Sequence, residues 1–200
     1  KTVNDYFAIQ GDVEAGASSI TLTDGTSRDL AGGDVVMIWE PAGLTQDVPR
    51  NAPVVKLVAG DYAGRYELVR VKPTTKGSTT IELEKPLAQP YRAPSQVIRI
   101  PQYDSVTIPS GTSLAAKAFD GIVGGIVAFV VRGDLVNDGK IQANEKGFKG
   151  GVGRLTSTLY GCDLADAEVV DGYARKGTGI DTRGKAAGPA NSANAGGGGA

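Results

Sequence analysis

The chain changes character at Gly147, where the run GFKGG opens a glycine-rich tail that ends in AGGGGA. Before this point, short apolar runs alternate with turn residues, a pattern typical of β proteins. Beyond it, apolar side chains are sparse, and the segment cannot bury enough of them to offset its own ordering entropy. The tail is therefore either a flexible linker or a segment whose glycine backbone packs closely against something else. A compact β region with such a tail favours a surface or fibre protein over an enzyme.

The composition excludes several classes of function. There is no histidine among the 200 residues, and the net charge is −1. Histidine is the commonest general base near neutral pH and the commonest zinc ligand. Its absence removes Ser-His-Asp and Cys-His catalysis and the usual zinc sites. The sequence shows no concentrated basic face of the kind that a nucleic-acid-binding protein normally has. We expect no catalytic residues, no resident cofactor other than a possible calcium ion, and no nucleic-acid partner.

Other features favour an exported protein. Cys162 is the only cysteine, so no disulfide can form within the chain, and few thiols are compatible with export. Cys162 is either a reactive or intermolecular thiol or a minor apolar residue in a loop. No apolar run approaches the roughly 20 residues of a membrane helix, so we expect no membrane insertion. The start at Lys1 and the stop inside a glycine run predict a processed fragment of a longer extracellular protein.

Short β-rich runs bounded by turn residues predict strands along the first 131 residues. The expected strands are 19–23, 35–39, 54–58, 66–71, 79–83, 97–100, 106–108, 112–115 and 126–131. The apolar run 35–39 predicts a central strand. The run 126–131 is continuously apolar, which predicts a strand buried on both faces. Three prolines between residues 41 and 53 predict a long exposed loop.

These elements predict an all-β fold in three segments. We expect a small β-barrel or sandwich over 1–95, a β-helix-like or sheet region over 96–149, and a glycine-rich extension over 150–200. The triplet Asn137-Asp138-Gly139 predicts a tight turn, either in a hairpin or at the corner of a coil.

Three acidic residues near this turn are candidate calcium ligands. Asp134, Asp138 and Glu145 lie close together in sequence, and calcium prefers several oxygen ligands in a flexible cage. The spacing of an EF-hand and the GGxGxDxUx repeat are both absent. Solvated turn carboxylates are the alternative interpretation.

Aromatic residues offer a candidate ligand surface. Tyrosine and tryptophan suit sugar rings because a flat face packs on C–H groups while the polar atom stays wet. The candidates are Trp39, Tyr62, Tyr66, Tyr91 and Tyr103. Trp39 ends an apolar strand and is expected in the core, and the better candidates are Tyr62 and Tyr66. Phe148, between two glycines, is expected to anchor the tail to the core. Asp120 and the acidic residues of 163–171 show no spacing that singles out a catalytic carboxylate pair.

Several motifs occur in an order that resembles a known type of module. The runs are SSITLTDG, GGDVVMI, YELVRV, TTIELEKPL, VIRIPQYDSVTI, GGIVAFVVRGDLVNDGKIQANEKGFKGG and GYARKGTGI. The series resembles the opening module of glycine-rich surface proteins from gliding and other Gram-negative bacteria, over roughly residues 10–199. Its most specific parts are Gly124-Gly125-Ile126 with Phe129, and the GFKGG run. Lys149 stands where arginine is expected, and Glu145-Lys146 where small residues are usual.

The resemblance implies a large secreted or outer-surface component of the adhesin or motility-associated type, and it implies no catalytic residues. Together with the tail, it predicts an extracellular structural or adhesive protein that acts by assembly, with itself or with other surface proteins. Two alternatives remain: a carbohydrate-binding module, and a β-helical enzyme that degrades polysaccharides.

Overall fold

The fold is all-β, as the sequence predicts. The computed structural model describes residues 1–23, 30–44, 56–73, 78–148 and 179–180. Within these ranges it contains strands and turns and no helix. The strands are β1 (Tyr6–Ala8), β2 (Ser19–Thr21), β3 (Val35–Trp39), β4 (Tyr66–Arg70), β5 (Thr80–Glu82), β6 (Gln96–Ile100), β7 (Gln102–Tyr103), β8 (Val106–Ile108), β9 (Ser113–Ala115), β10 (Val130–Val131), β11 (Leu135–Asn137) and β12 (Lys140–Gln142).

The chain divides into two compact units. The first comprises residues 1–40 and 64–147, and the second comprises 41–63 and 148–200. All twelve strands named above lie in the first unit.

Strands β1 to β6 form a small closed barrel. A four-stranded antiparallel sheet has the order β1-β6-β3-β4, and β2 pairs with β5. Two antiparallel bridges join these groups: Val71 to Leu83, beyond the ends of β4 and β5, and Ile9 to Leu22, beyond the ends of β1 and β2. Closure by these bridges leaves few exposed strand edges in the barrel.

Alternating side chains of these strands fill the barrel interior. The buried positions in β3 alternate as period two requires, with Val36 and Ile38 fully enclosed between β4 and β6. The core cluster consists of Phe7, Ile9, Ile20, Leu22, Leu30, Val36, Ile38, Val69, Val71, Ile81, Leu83, Leu87, Tyr91 and Val97. The prediction that residues 35–39 form a central strand is confirmed.

Strands β7 to β12 form two stacked coils of a β-helix. The first coil contains β7, β8 and β9, and the second contains β10, β11 and β12. Each strand of the second coil pairs in parallel with its counterpart in the first, for example Leu135 with Val106 and Ile141 with Leu114. Because β11 and β12 pair with the coil below and not with each other, the turn at Asn137-Asp138-Gly139 is the corner of a coil.

Two buried amide side chains attach the segment between the coils, residues 116–129, to the rest of the unit. Asn4, 3% exposed, donates from Nδ2 to the Ala128 carbonyl oxygen at 2.5 Å and accepts from the Ala128 amide at 3.0 Å. Gln96 is fully buried and forms the same reciprocal pair with Gly124, at 3.2 and 2.9 Å. Each side-chain amide thus forms the two hydrogen bonds that a residue of a neighbouring strand would form. These bonds satisfy backbone groups that burial would otherwise leave unpaired.

The prediction of a buried strand over 126–131 is wrong for most of its length. Only Val130 and Val131 form a strand, and Val130 is 46% exposed. Residues 126–129 are half-buried, and their backbone bonds to side chains: Ala128 to Asn4, and the Ile126 carbonyl oxygen to the Tyr6 hydroxyl. A continuous apolar run has no periodicity, so the sequence alone does not distinguish a strand covered on both faces from a half-buried connector.

Three further details differ between the prediction and the structure. The described part of the expected strand 54–58, residues 56–58, is not a strand, and Leu57 and Val58 are exposed. The described start of the expected exposed loop is partly buried, since Pro41 and Leu44 are enclosed. Strand β6 lies in the barrel sheet, one element past the expected end of the barrel at residue 95. The three-segment division as a whole stays a prediction, because most of the tail lies outside the described residues.

In the second unit, Gly43 forms backbone hydrogen bonds with three other described residues. Its amide donates to the Ile180 carbonyl oxygen at 2.8 Å, and its carbonyl oxygen accepts the amides of Tyr62 and Ala63. Buried Leu44 and Ala63 pack against Ile180. Ile180 is thereby held by both backbone and side-chain contacts in this unit.

None of the described residues belongs to a helix that is long and apolar enough to cross a membrane.

We expect Gly139→Ala to destabilise the coil region. A Cβ at Gly139 would stand 2.6 Å from the Thr112 carbonyl oxygen and 2.7 Å from Ile108 Cγ2. Both contacts are shorter than real Cβ contacts, so the corner must shift, at a cost of roughly 1–3 kcal/mol. Urea unfolding followed by circular dichroism measures the effect. Gly147→Ala is the control, because a Cβ there meets nothing within 4 Å; equal stability of the two variants would show that the corner tolerates the shift.

Candidate functional site

A polar cleft lies where the barrel meets the first coil. It has a volume of about 510 Å³, within the range of small-ligand pockets. Its walls come from the first residues of the chain, the start of β3, the end of β6 and the first coil. The lining residues are Lys1, Thr2, Val3, Asp5, Asp34, Arg99, Pro101, Gln102, Tyr103 and Leu114.

Arg99 organises the charged side of the cleft. Its Nε donates to Asp34 Oδ2 at 2.9 Å and its Nη2 to Asp34 Oδ1 at 3.4 Å, while Nη1 lies 3.4 Å from Asp5 Oδ2. Asp34 Oδ2 also accepts the Ala31 amide at 2.8 Å. The hydrogen bond to Asp34 raises the pKa of the Arg99 guanidinium, against a lowering by partial burial. Forked pairing of this kind fixes both carboxylates in position.

Tyr103 and Gln102 also line the cleft. The Tyr103 ring meets Phe129 edge-on, with centroids 6.2 Å apart and an interplanar angle of 66°. This contact orients the ring while 41% of the residue stays exposed. Gln102 Oε1 accepts from Arg70 Nη2 at 3.3 Å, and Arg70 Nη1 donates to the Gly33 carbonyl oxygen at 2.7 Å. The cleft therefore combines a fixed aromatic side chain with fixed polar groups.

The sequence analysis considered Tyr103 but missed Asp5, Asp34, Arg99 and Gln102. Asp5, Asp34 and Arg99 are far apart in the sequence, so no local spacing brings these three charges together. One signal was available: an arginine at position 99 interrupts the apolar run of β6, and a charge in such a strand needs partners.

A buried carboxylate lies elsewhere in the first unit. Glu40 is 2% exposed, and its Oε2 accepts the Arg92 amide at 3.2 Å. Burial raises the pKa of Glu40 to about 7, although the Arg92 hydrogen bond and the charges of Arg65 and Arg92 oppose the rise. The Tyr91 hydroxyl is also buried and has no hydrogen-bond partner among the described residues. Burial, followed by the charges of Glu67 and Glu40, raises the pKa of Tyr91. Neither Glu40 nor Tyr91 lines the cleft.

The three candidate calcium ligands are exposed and dispersed along the second coil. Asp134 precedes β11, Asp138 follows it, and Glu145 lies beyond β12 with a φ of 59°. The Asp134 carbonyl oxygen accepts the Val106 amide, and the Asp138 amide donates to the Ile108 carbonyl oxygen. Across the described ranges, no three acidic or cysteine side chains form a group that could hold a metal ion.

The candidate ligand tyrosines lie in different units. Tyr66 is on β4 in the first unit, where 61% of it is exposed. Tyr62 is half-buried in the second unit. Their role in ligand binding stays a prediction. Tyr91, also considered as a surface aromatic, lies in the barrel core, and Trp39 is half-buried on β3.

The remaining candidates from the sequence are Phe148, Cys162, the acidic residues of 163–171 and Asp120. Phe148 is half-buried in the second unit, and its role as tail anchor stays a prediction. Cys162 and the acidic residues of 163–171 lie outside the described residues. Asp120 caps its own turn: although burial raises its pKa, the Lys117 ammonium at 2.8 Å and the amides of Val123 and Ile122 lower it to about 2. A carboxyl held ionised in this way is a poor general acid.

No known family profile and no curated protein matches the chain. Three solved structures of phage tailspikes are similar to 70% of it. They are gp61 of Pseudomonas phage phi297 (TM-score 0.36, 19% identity), gp54 of Acinetobacter baumannii bacteriophage AP22 in complex with A. baumannii capsular saccharide (0.36, 10%), and gp49 of Pseudomonas phage LKA1 (0.33, 14%).

The chain spans about a fifth of each tailspike, with coverage of 20%, 23% and 21% respectively. TM-scores this low do not by themselves establish a shared fold. The all-β, β-helix-like assignment rests on the strand pairs described above.

We expect Glu40 to make the barrel less stable as the pH rises. Its folded pKa of about 7 lies above its ordinary value of 4.5, so the folded state binds the proton more tightly. The resulting stabilisation is complete below about pH 4.5 and is lost as the pH rises through about 7. Glu40→Gln should remove this pH-dependent loss in the free energy of unfolding, which is on the order of 2 kcal/mol.

Denaturation followed by the fluorescence of Trp39, the only tryptophan, measures this effect at about pH 5 and about pH 8. Glu82→Gln is the control, since the Glu82 side chain is 65% exposed, and it should follow the parent protein. A Glu40→Gln variant with the pH dependence of the parent would show that Glu40 is not the responsible group.

Proposed function

We propose that the protein is a structural or adhesive component of an extracellular surface, that it acts by self-assembly, and that it is not an enzyme. The observation that carries this proposal is that, among the described residues, no strand pairs with the outer side of the second coil. The two coils show that parallel pairing extends from one layer to the next within this chain.

β10, β11 and β12 each pair with one strand of the first coil, and no other strand of the described residues pairs with them. Unpaired N–H and C=O groups along such an edge are a template for another strand. In the first coil, by contrast, Ala115 on β9 also bridges Thr2 on its other side.

The side chains of the second coil are more apolar than a solvated surface requires. Val130, Leu135, Val136 and Ile141 are between 40% and 48% exposed. They continue the stacked positions of the first coil, since Leu135 follows Val106 and Ile141 follows Leu114 in register. These four exposed apolar side chains all lie on the strands of the second coil, and exposed apolar area of this kind supports an interaction surface.

A second copy of the chain is the partner that fits this surface best. Every copy presents the same edge and the same apolar side chains, so one copy can pair with another through them. The net charge of −1 adds little repulsion between copies. Strand pairing along the edge orients one copy relative to the other, and burial of the apolar side chains provides affinity.

The charged groups of the cleft fit a role without catalysis. Asp5 and Asp34 are the two carboxylates that share the cleft. Both bind the guanidinium of Arg99, whereas a glycosidase needs one carboxyl free to donate a proton and another free to attack or activate water.

We expect Val136→Lys to weaken self-association of the full chain. The substitution places a charge in the centre of the proposed contact, where it would be desolvated without a partner. Sedimentation velocity over a range of concentrations should show assembly of the parent protein. The variant should need a concentration at least about 10-fold higher to assemble to the same extent.

Leu68→Lys is the matched control, because Leu68 is 57% exposed on β4, which pairs with no strand of the second coil. Both variants should keep the melting temperature of the parent within a few degrees. A parent protein that stays monomeric at all concentrations would overturn the proposal, as would an assembly that Leu68→Lys weakens and Val136→Lys does not.

A further inference from the structure

We infer that Trp39 and Tyr66 together bind a sugar ring of an oligosaccharide on the outer face of the barrel sheet. The two residues are direct partners in register, Trp39 on β3 and Tyr66 on β4. The sequence predicts a sugar surface at Tyr62 and Tyr66, whereas the strand pairing puts Trp39 beside Tyr66. The inference goes beyond the proposed function and does not depend on self-association.

Both aromatic side chains point away from the barrel core. Successive side chains of a strand point to opposite faces of the sheet. Val36 and Ile38 of β3 and Val69 of β4 lie in the core, so Trp39 and Tyr66 point outward. Cross-strand partners have Cβ atoms about 4.5–5.5 Å apart, which brings the two rings within reach of one ligand.

Over β1 and β6, the outer face of this sheet is covered by residues of the segment 116–129. The Gln96 side chain exchanges two hydrogen bonds with Gly124. The Tyr6 hydroxyl donates to the Ile126 carbonyl oxygen. These contacts bury the outward side chains of the two strands against the segment.

Towards β4, the same face becomes open to solvent. Met37 on β3 is the partner of Ile98 on one side and of Leu68 on the other. Ile98 is fully buried, Met37 is half-buried, and Leu68 is 57% exposed. In the aromatic pair, Trp39 is half-buried and Tyr66 is 61% exposed. The apolar face therefore extends beyond the segment that covers it.

The polar atoms of both aromatic residues are open to a ligand. Neither Trp39 Nε1 nor the Tyr66 hydroxyl forms a hydrogen bond with any residue that the structure describes. Nε1 also reaches solvent, since the Tyr91 hydroxyl is the only buried side-chain polar atom without a partner in the described ranges. Neither ring stacks on another aromatic ring of those ranges.

This combination selects a sugar over an apolar partner. An apolar surface seated on Trp39 and Tyr66 would enclose their N–H and O–H groups without hydrogen bonds, which costs free energy. A sugar ring presents C–H groups on its face and hydroxyls around its edge. It can therefore pack on the aromatic rings while its hydroxyls bind the two polar atoms.

Recognition at the aromatic pair does not depend on charge. Among the outward side chains of β3 and β4, Arg70 is the charged one, and it lies four residues from Tyr66, about 13 Å along the strand. Its guanidinium donates to the Gly33 carbonyl oxygen and to Gln102 Oε1. We therefore expect sugar binding that changes little with ionic strength.

The fluorescence of Trp39, the only tryptophan, reports directly on this site. An array of short neutral and uronic-acid oligosaccharides identifies a bound sugar, which is then titrated into the protein and should change the Trp39 emission. Tyr66→Leu should weaken binding about 10-fold or more, because it keeps an apolar side chain but removes the flat ring. Tyr66→Phe, which keeps the ring, should bind more tightly than Tyr66→Leu.

Phe129→Leu is the matched control, because it makes the same aromatic-to-aliphatic change at a ring that contacts Tyr103 of the first coil, and it should bind as the parent does. Three results would overturn the inference: no oligosaccharide is bound, a bound one leaves the Trp39 emission unchanged, or Tyr66→Leu binds as tightly as the parent. The titrations are repeated on the Val136→Lys background, so that a failure of sugar binding is distinguished from a failure of self-association.

Discussion

The architecture depends on two side-chain amides that act as substitutes for backbone. Asn4 and Gln96 each offer one N–H and one C=O to a peptide group of the segment between the coils. This segment would otherwise need a neighbouring strand. Because each amide is buried, removing it would leave both a donor and an acceptor of the connector unpaired, which costs more than the hydrogen bonds alone contribute. The second coil begins two residues after Ala128, so the position of its first strand is set by these contacts.

The barrel provides the rigid frame for both the coils and the cleft. Strand β6 pairs with β1 on one side and β3 on the other, and the chain continues directly from Ile100 into the first coil. Arg99 lies at the end of this doubly paired strand, while Asp34 precedes β3 and Asp5 precedes β1. The three strands that hold the ion pairs are thus adjacent in one sheet, and the charged side of the cleft is a consequence of their order.

Much of the fold could be predicted from the sequence. Residues 35–39 and 106–108 match β3 and β8, because short β-rich runs bounded by turn residues indicate strands directly. The connector at 126–129 could not be predicted, since its apolar residues give no periodicity and its hydrogen bonds come from side chains far away in the chain. The cleft could not be predicted for a similar reason: Asp5, Asp34 and Arg99 meet only after β1, β3 and β6 have paired. Barrel closure depends on single bridges such as Val71 to Leu83, which leave no pattern in the sequence.

The order of the elements along the chain has a consequence for how the protein is made. Every residue of the barrel core lies between Phe7 and Val97, before the first coil begins. The barrel can therefore fold while the rest of the chain is still being synthesised, since domains form as units from the N-terminus. The first coil then extends from a finished strand, and the second coil has a completed layer on which to settle. Growth of the β-helix is directional, and a failure in the barrel would prevent every later layer, whereas a failure in the last layer would leave the barrel intact.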